Sequence, residues 1–320
     1  MADPQSTALD LVGEAFSGLP APVQKSLFKA LGSLLGDLTA VGAAKLKQYA
    51  RGIEDTTAMR SVVAAKLTEA LSKQVVSDPA LLRAAGDVYV PTAIRKAANL
   101  LAVAERTAEH VCEANESSEN AAPPSDDWLN AFIRFAEDAS SEKLRDLFAR
   151  ILAGEVLRPG AFRVSTLRAV SELDHETAAD FSIVWAKSVG GAVDYADEFR
   201  RGDSFARWKR LAEAGLMAPT TTAQYLPPFK LRYEGQAIWS PMQTEGIYLT
   251  VYFTEQCSTS WDHIDFTRVG REIGSIIAPP DYAANMREAG MRLAGPGVTR
   301  VELVSHGKPT ELIHSAPLLQ

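Results

Sequence analysis

Apolar residues recur at helical spacing through most of the chain before residue 215, and this periodicity constrains the fold most strongly. The clearest run lies in residues 144–152, where leucine, phenylalanine and isoleucine repeat at positions i, i+3, i+4, i+7 and i+8. Residues 1–115 are rich in alanine, leucine, lysine and glutamate, which are good helix formers. The chain is therefore predicted to be mainly α.

The pattern changes after residue 215, where β-branched and aromatic residues become dense. Residues 247–254 predict a strand, and residues 298–304 and 311–314 predict two more. Between them, Thr267 is expected to cap a helix, and a further helix is expected over residues 282–293. The C-terminal portion is therefore predicted to be α/β.

Residues 115–125 form a polar run with paired prolines, which is typical of a linker. It separates a predicted helical domain, residues 1–115, from the rest of the chain. The linker proper is assigned to residues 116–125, a helical module to residues 126–200, and the α/β portion to residues 201–320.

Composition limits the classes of function. The 320 residues include 33 Lys and Arg against 40 Asp and Glu, a net charge of -7, which excludes a protein that coats nucleic acid with its whole surface. Two distant cysteines, Cys112 and Cys257, fit a reducing compartment. Residues 1–10 lack the features of a secretory signal, and no apolar stretch of membrane-spanning length occurs. A cytoplasmic location is predicted.

The segment WKRLAEAGLM, residues 208–217, resembles the junction at which a winged-helix domain passes from its third helix to its sheet. Gly215 allows the chain to reverse, and Leu216 and Met217 are expected to enter that sheet. The later segments LTVYFT and FTRVGREIGSII resemble the wing strand and the closing helix. The predicted fold is an N-terminal helical domain, then a helical module with a winged-helix-like α/β C-terminal portion.

A winged helix suggests DNA binding, with its third helix in the major groove. The candidate contacts are the basic residues around that helix: Arg200, Arg201, Arg207, Lys209 and Arg210. The alternative is that these are solvated charges on an amphipathic helix, because Glu198, Asp203 and Glu213 lie among them. Winged helices also serve as protein-interaction modules, and this interpretation is preferred.

A second set of residues carries a family resemblance. The segments are an Asp-Trp pair, a helix ending Ile-Leu-Ala-Gly-Glu, a Pro-Gly turn and a Thr-Leu pair. Their members are Asp127, Trp128, Arg150, Gly154, Glu155, Pro159, Gly160, Thr166 and Leu167. With residues 95–104 and 266–273, they resemble a bacterial domain of unknown function, related in pattern to the abortive-infection alpha family of phage-defence proteins, over most of residues 90–280. The resemblance implies a role in phage defence with no established catalytic residues.

The sequence offers few candidates for a catalytic or metal-binding site. His110 and Cys112 lie two residues apart on a helix and cannot share a face. Asp262, His263 and Asp265 could hold a metal or supply a base, but a polar turn is the preferred interpretation. Glu155 is expected to make a structural hydrogen bond to the turn at Thr166. No catalytic residue, metal site or cofactor is predicted.

Residues 31–44 form an apolar segment with two glycines at the spacing of close-packed helix pairs, Gly32 and Gly36. The interpretations are core packing, self-association, or membrane action. In order of preference, the chain is predicted to be a non-enzymatic, defence-associated interaction protein, a winged-helix DNA-binding regulator, or a membrane-active effector. The expected partners are a protein, a second copy of the chain, DNA or a membrane.

Overall fold

The computed structural model describes residues 19–35, 79–114, 122–195, 201–220, 224–226, 231–233, 236–244, 246–254, 257 and 259–316. For residues 79–90, 224–226, 231–233 and 236 it describes the backbone alone. The chain divides into two compact units, Met1–Ser171 and Glu172–Gln320.

The described part of the first unit is helical. Its helices are α1 (Ala21–Leu35), α2 (Pro79–Glu113), α3 (Asp126–Ala136), α4 (Glu142–Leu157) and α5 (Val164–Glu172). Helix α2 packs along α4, and α1 packs against both of them and against α3. Apolar side chains from all five helices are fully or almost fully buried, among them Leu27, Val103, Phe132, Phe148 and Leu167. The helical periodicity of the sequence thus supplies one shared core.

Side-chain caps fix where two of these helices begin. Ser125 accepts a hydrogen bond from the amide of Trp128 at 3.3 Å, and Ser141 accepts one from Leu144 at 3.1 Å. Helix α2 continues through Pro91, although proline removes one hydrogen bond from a helix.

The boundary between the units lies at residues 171 and 172, not in the predicted linker at residues 116–125. The helices on the two sides of that polar run, α2 before it and α3 and α4 after it, pack together in one unit. A polar, proline-rich composition indicates that a connecting segment is solvated, whereas the boundary between units depends on which helices share a core.

The second unit mixes helices and strands. Its helices are α6 (His175–Trp185), α7 (Gly202–Glu213), α8 (Arg268–Gly274) and α9 (Tyr282–Leu293). Its strands are β1 (Ala192–Asp194), β2 (Gln224–Leu226), β3 (Leu231–Tyr233), β4 (Gln236–Trp239), β5 (Gln243–Thr244), β6 (Ile247–Phe253), β7 (Trp261–Asp265), β8 (Val298–Ser305) and β9 (Glu311–Ser315).

The smaller sheet has the antiparallel order β1-β7-β2. Its central strand contains Asp262, His263 and Asp265, so the predicted polar turn is wrong. These residues lie in a strand because Trp261 and Ile264 of the same segment are buried, and because backbone partners are present on both sides. Met217 forms an isolated antiparallel bridge with Phe266, beside this sheet.

The larger sheet has the order β3-β4-β6-β8-β9, with β5 paired to β6. Helix α9 packs on strands β6, β8 and β9. The core beneath it contains Leu249, Val251, Met286, Val301 and Leu303. The predicted strands at residues 247–254, 298–304 and 311–314 and the predicted helix at residues 282–293 are confirmed to within one residue at each end.

The structure is thus mainly α with an α/β C-terminal part, as predicted. Of the apolar segment at residues 31–44, only residues 31–35 lie within the described chain, where Leu31 and Leu34 are buried in α1. Across the described ranges, no helix is both long enough and apolar enough to cross a membrane.

Candidate functional site

Part of the family motif contacts or forms the loop between α4 and α5, residues 158–163, which we call the motif loop. The Trp128 indole donates to the carbonyl oxygen of Phe162 at 2.8 Å. The Glu155 carboxylate accepts from the amides of Gly160 at 2.7 Å and Phe162 at 3.0 Å. Because the Glu155 side chain belongs to a residue only 4% exposed, these charge-assisted bonds are shielded from water and hold the loop firmly.

Gly154 is required by the close approach of the motif loop. A Cβ atom at this position would lie 2.6 Å from Cε2 of Phe162, inside van der Waals contact. Phe162 is buried, and Trp128 stacks on Phe132 with 5.2 Å between ring centroids. The packing of the Phe162 ring against Gly154 and the hydrogen bonds made by Trp128 and Glu155 thus both hold the loop in place.

The other motif residues have distinct surroundings. Asp127 is exposed in the first turn of α3, where a carboxylate favours the positive helix end. Arg150 donates from Nε to Asp146 at 2.8 Å. Thr166 and Leu167 are fully buried in α5. Glu155 was expected to hydrogen-bond to the turn at Thr166, and its bonds to Gly160 and Phe162 lie six and four residues earlier in the chain.

Hydrogen bonds between polar side chains and backbone groups join α2 to α4 and to the end of α3. Asn99 donates to the Glu137 carbonyl oxygen at 2.9 Å and accepts from Arg145 at 3.3 Å. At the next residue of α4, Nε2 of His110 lies 2.9 Å from Asp146. Burial raises the pKa of Asp146, but hydrogen bonds from Arg150 and His110 outweigh it, so the pKa lies below its ordinary value. Sequence reasoning missed this pairing, because His110 and Asp146 lie 36 residues apart on different helices.

The motif loop presents a surface to solvent. Arg158, Pro159 and Gly160 are exposed, and so are Arg163 and Val164 directly after the loop's buried phenylalanine. Gly160 has φ of 82°, a left-handed conformation that suits glycine. The arrangement can present a fixed shape to a partner, because its polar anchors point inward and its tip points outward.

The basic residues proposed to contact DNA have a different setting. Arg207 and Arg210 donate to the two oxygens of Asp180, at 3.1 and 2.7 Å, and Asp180 is 6% exposed. The hydrogen bond to Asp180 raises the pKa of Arg210. Lys209 lies 3.9 Å from Glu213. These three cations are therefore matched by carboxylates within the second unit.

Arg200 and Arg201 are the other two residues proposed to contact DNA. Arg201 is exposed at the start of α7, and Arg200 lies outside the described residues. The structure thus brings Arg207 and Arg210 together on one buried carboxylate, an arrangement of ion pairs inside the unit. Sequence reasoning missed Asp180 because it lies 27 residues before Arg207 on a different helix.

A second carboxylate, Asp194 at the end of β1, is partly buried and was also missed. It accepts from the Trp261 indole at 2.9 Å and from Nε of Arg292 at 2.7 Å. Burial raises the pKa of Asp194, although Arg292 and the Trp261 hydrogen bond oppose this effect. His263 stacks on Trp261 with 4.3 Å between centroids. Within the described ranges, no group of three or more His, Cys, Asp or Glu side chains is placed to hold a metal ion.

The segment of residues 266–273 docks α8 onto the glycine turn. Gly215 has φ of 72°, the predicted left-handed conformation. Thr267 accepts from the Gly270 amide at 3.1 Å, as the predicted cap, and donates to the Gly215 carbonyl oxygen at 2.6 Å. A Cβ atom on Gly270 would lie 2.1 Å from the Leu216 carbonyl oxygen. The Thr and Gly of this segment are thus required by one close contact.

The family comparison matches part of the chain. Residues 91–196 match a family model described as a protein of unknown function, DUF2806. The matched residues contain the whole motif loop and its anchors, and they end well before residue 280, where the predicted resemblance ended. The comparisons with curated proteins and with solved structures gave no match. A resemblance to a domain of unknown function is therefore confirmed for residues 91–196.

Proposed function

We propose that the chain is a non-enzymatic interaction protein acting in anti-phage defence of the abortive-infection type. The observation that carries the interaction part is the motif loop. The polar groups of Trp128 and Glu155 are hydrogen-bonded to the backbone of this loop. Arg158, Pro159 and Gly160, in contrast, face solvent. A family motif that builds and fixes an exposed loop supports recognition of a partner. The defence context rests on the resemblance of the motif to the abortive-infection alpha family.

The partner is proposed to be a protein. Preorganised loops bind with a smaller entropy cost than mobile ones, so a rigid loop favours specific contact. A second copy of the chain is a further proposed partner, which light scattering of the purified protein tests directly.

The test of the defence role is phage plating efficiency on a bacterial host with and without the gene at its own expression level. We expect a drop of several orders of magnitude for some phages. Glu155→Gln should weaken protection by loosening the motif loop, whereas Glu109→Gln, an exposed glutamate on α2, should leave protection intact. No protection across a broad phage panel, with the neighbouring genes included, contradicts the proposal.

The alternative is a winged-helix DNA-binding regulator. It is favoured by the antiparallel sheet β1-β7-β2 and by the turn at Gly215, after which Met217 bridges to Phe266. The charges on α7 weigh against DNA contact, because Asp180 engages Arg207 and Arg210. Winged helices that lack a basic recognition surface serve in protein contacts, which agrees with the first proposal.

Among the candidate cations that the structure describes, Arg201 and Lys209 are exposed, and they test the DNA-binding alternative. Substituting Arg207 or Arg210 would expose Asp180 and change stability as well as charge. If Arg201→Gln with Lys209→Gln leaves the affinity for duplex DNA at low salt unchanged, these two residues do not contact DNA.

A further inference from the structure

Helix α9 covers one face of the larger sheet, where Leu249, Val301 and Leu303 contribute to the core. Successive side chains of a strand point to opposite faces, so the residues that alternate with these on β6 and β8 lie on the other face. Strand β9 adds Leu312, which is paired with Glu302 of that face. We call this second surface the back face, and its members are Tyr248, Tyr252, Arg300, Glu302, Val304 and Leu312.

The six residues of the back face adjoin one another. Directly opposed side chains of antiparallel strands have Cβ atoms about 4.5–5.5 Å apart, so each cross-strand pair is in contact range. Three of the six alternate along β8, which places the pairs side by side. The register joins them as Tyr248 with Val304, Glu302 with Leu312, and Tyr252 with Arg300.

The back face exposes apolar side chains, and its charges are paired. Tyr248 is 41% exposed and Leu312 is 57% exposed. The Arg300 guanidinium lies over the ring of Tyr252, with 3.9 Å between Cζ and the ring centroid, and its Nε is 3.3 Å from Glu302. The cation and the anion among the six residues therefore neutralise each other, and the surface has no net charge of its own.

We propose that the back face binds the back face of a second copy of this chain across a two-fold axis. The inference rests on the second-copy partner proposed above and names its surface. A two-fold contact places the same residues on both sides, so a surface with net charge would repel itself. In a chain with a net charge of -7, self-association requires a neutral surface, and the back face provides one.

The composition of the back face favours a protein over a nucleic acid. Tyrosine and arginine are enriched at the centres of protein interfaces. A nucleic acid would need cations that are available to its phosphates, whereas Arg300 is engaged by Glu302. A second copy sets tyrosine and leucine side chains against the same types of side chain, and it buries no unpaired charge.

The test is sedimentation velocity of the full-length chain at about 1 to 100 µM, because the dimer population depends on concentration. The face variant carries Tyr248→Ser and Leu312→Ser. The matched control carries Ile183→Ser and Met291→Ser, at positions that are 46% and 56% exposed, in the same unit and outside the back face. Circular dichroism and thermal melting show that each variant folds.

We expect the unmodified chain to reach twice its mass of 34.6 kDa. The dissociation constant of the dimer should rise roughly tenfold or more in the face variant, because central aromatic and apolar side chains carry most of the binding energy, and it should stay unchanged in the control. Leu312→Glu alone changes an exposed side chain and should weaken the dimer by a similar factor of roughly ten, since two carboxylates then enter one contact.

Three outcomes overturn the proposal. The first is a monomer at every concentration, which would assign the back face to a different protein. The second is a dimer that both face variants leave unchanged, which would place the contact between copies on another surface. The third is equal weakening in the control. Phage plating tests the motif loop separately, because that loop lies in the first unit, so the two proposals can fail independently.

Discussion

At the scale of the residue, the best-defined feature is a glutamate whose carboxylate accepts hydrogen bonds from backbone amides. Glu155 is 4% exposed and accepts from two amides of the motif loop. A buried carboxylate is costly unless donors surround it, and here the donors belong to the loop itself. The loop and the glutamate therefore depend on each other.

Glu155→Gln should destabilise the first unit by roughly 2 kcal/mol, because one carboxylate oxygen is replaced by an NH₂ group that faces a backbone N–H. Hydrogen exchange measured by mass spectrometry should show faster exchange in peptides that contain Gly160 and Phe162. Glu109→Gln provides the control, and its exchange should match that of the unmodified chain. Unchanged protection of the motif loop in the Glu155 variant would show that the hydrogen bonds contribute little.

Two helical glycines give a matched pair. A Cβ atom on Gly154 would contact Phe162 at 2.6 Å, whereas a Cβ atom on Gly32 meets nothing within 4 Å. Gly154→Ala should cost about 1–3 kcal/mol through overpacking. Gly32→Ala should stabilise α1 by about 0.5–1 kcal/mol through helix propensity. Urea unfolding curves compare the two, and similar effects of the two substitutions would contradict the packing argument.

At the scale of the element, helices are held together by polar contacts as well as by apolar cores. On α4, Asp146 receives hydrogen bonds from Arg150 and from His110 of α2. On α8, a glycine lets the helix approach the turn before the sheet. Each contact ties a helix to a specific neighbour, which apolar burial alone does not specify.

Stability should depend on Asp146 at acid pH. Its pKa is lower in the folded chain than in the unfolded chain, so its contribution is present above the unfolded pKa of about 3.9. The contribution is lost as the pH falls through the lower, folded pKa. Asp146→Asn should therefore flatten the acid side of the stability curve, measured by urea unfolding between about pH 6 and pH 3. Equal slopes for both chains would show that Asp146 titrates alike in the two states.

Gly270→Ala should be more harmful than the substitution at Gly154. The new Cβ atom would lie 2.1 Å from a backbone oxygen, that of Leu216, which cannot rotate away as a side chain can. We expect a loss of more than about 2 kcal/mol, with α8 displaced from the Gly215 turn. Thermal melting gives the size of the loss. Gly307→Asn is a mild control, since φ is 71° and nothing lies near its Cβ position.

At the scale of the whole molecule, charge is unevenly distributed along a chain with a net charge of -7. Residues 156–171 are basic, although the sequence pI is about 5.4. Close to its pI a protein has little net charge to oppose self-association. We expect light scattering to rise as the pH falls from about 7.5 toward 5.4. A constant particle size over this range would show that surface composition other than net charge controls association.

Most helices, strands and turns depend on interactions between residues close in sequence, so the sequence by itself determined them. The cap at Thr267 and the left-handed turn at Gly215 were predicted because each depends on residues within one turn. The apolar spacing of α4 identified a helix whose buried face includes Phe148 and Ile151. The motif loop was predicted as a turn from its Pro-Gly pair, which also requires only local information.

Only the tertiary structure decided which of these elements meet. Asp180 binds two arginines from α7, and the polar residues of β7 form the middle strand of a sheet rather than a turn. The boundary between the units likewise follows from α2 packing on α4 across the polar run. Each of these contacts joins residues far apart in sequence, and the energy that selects them comes from burial and charge pairing in the folded chain, which no local pattern contains.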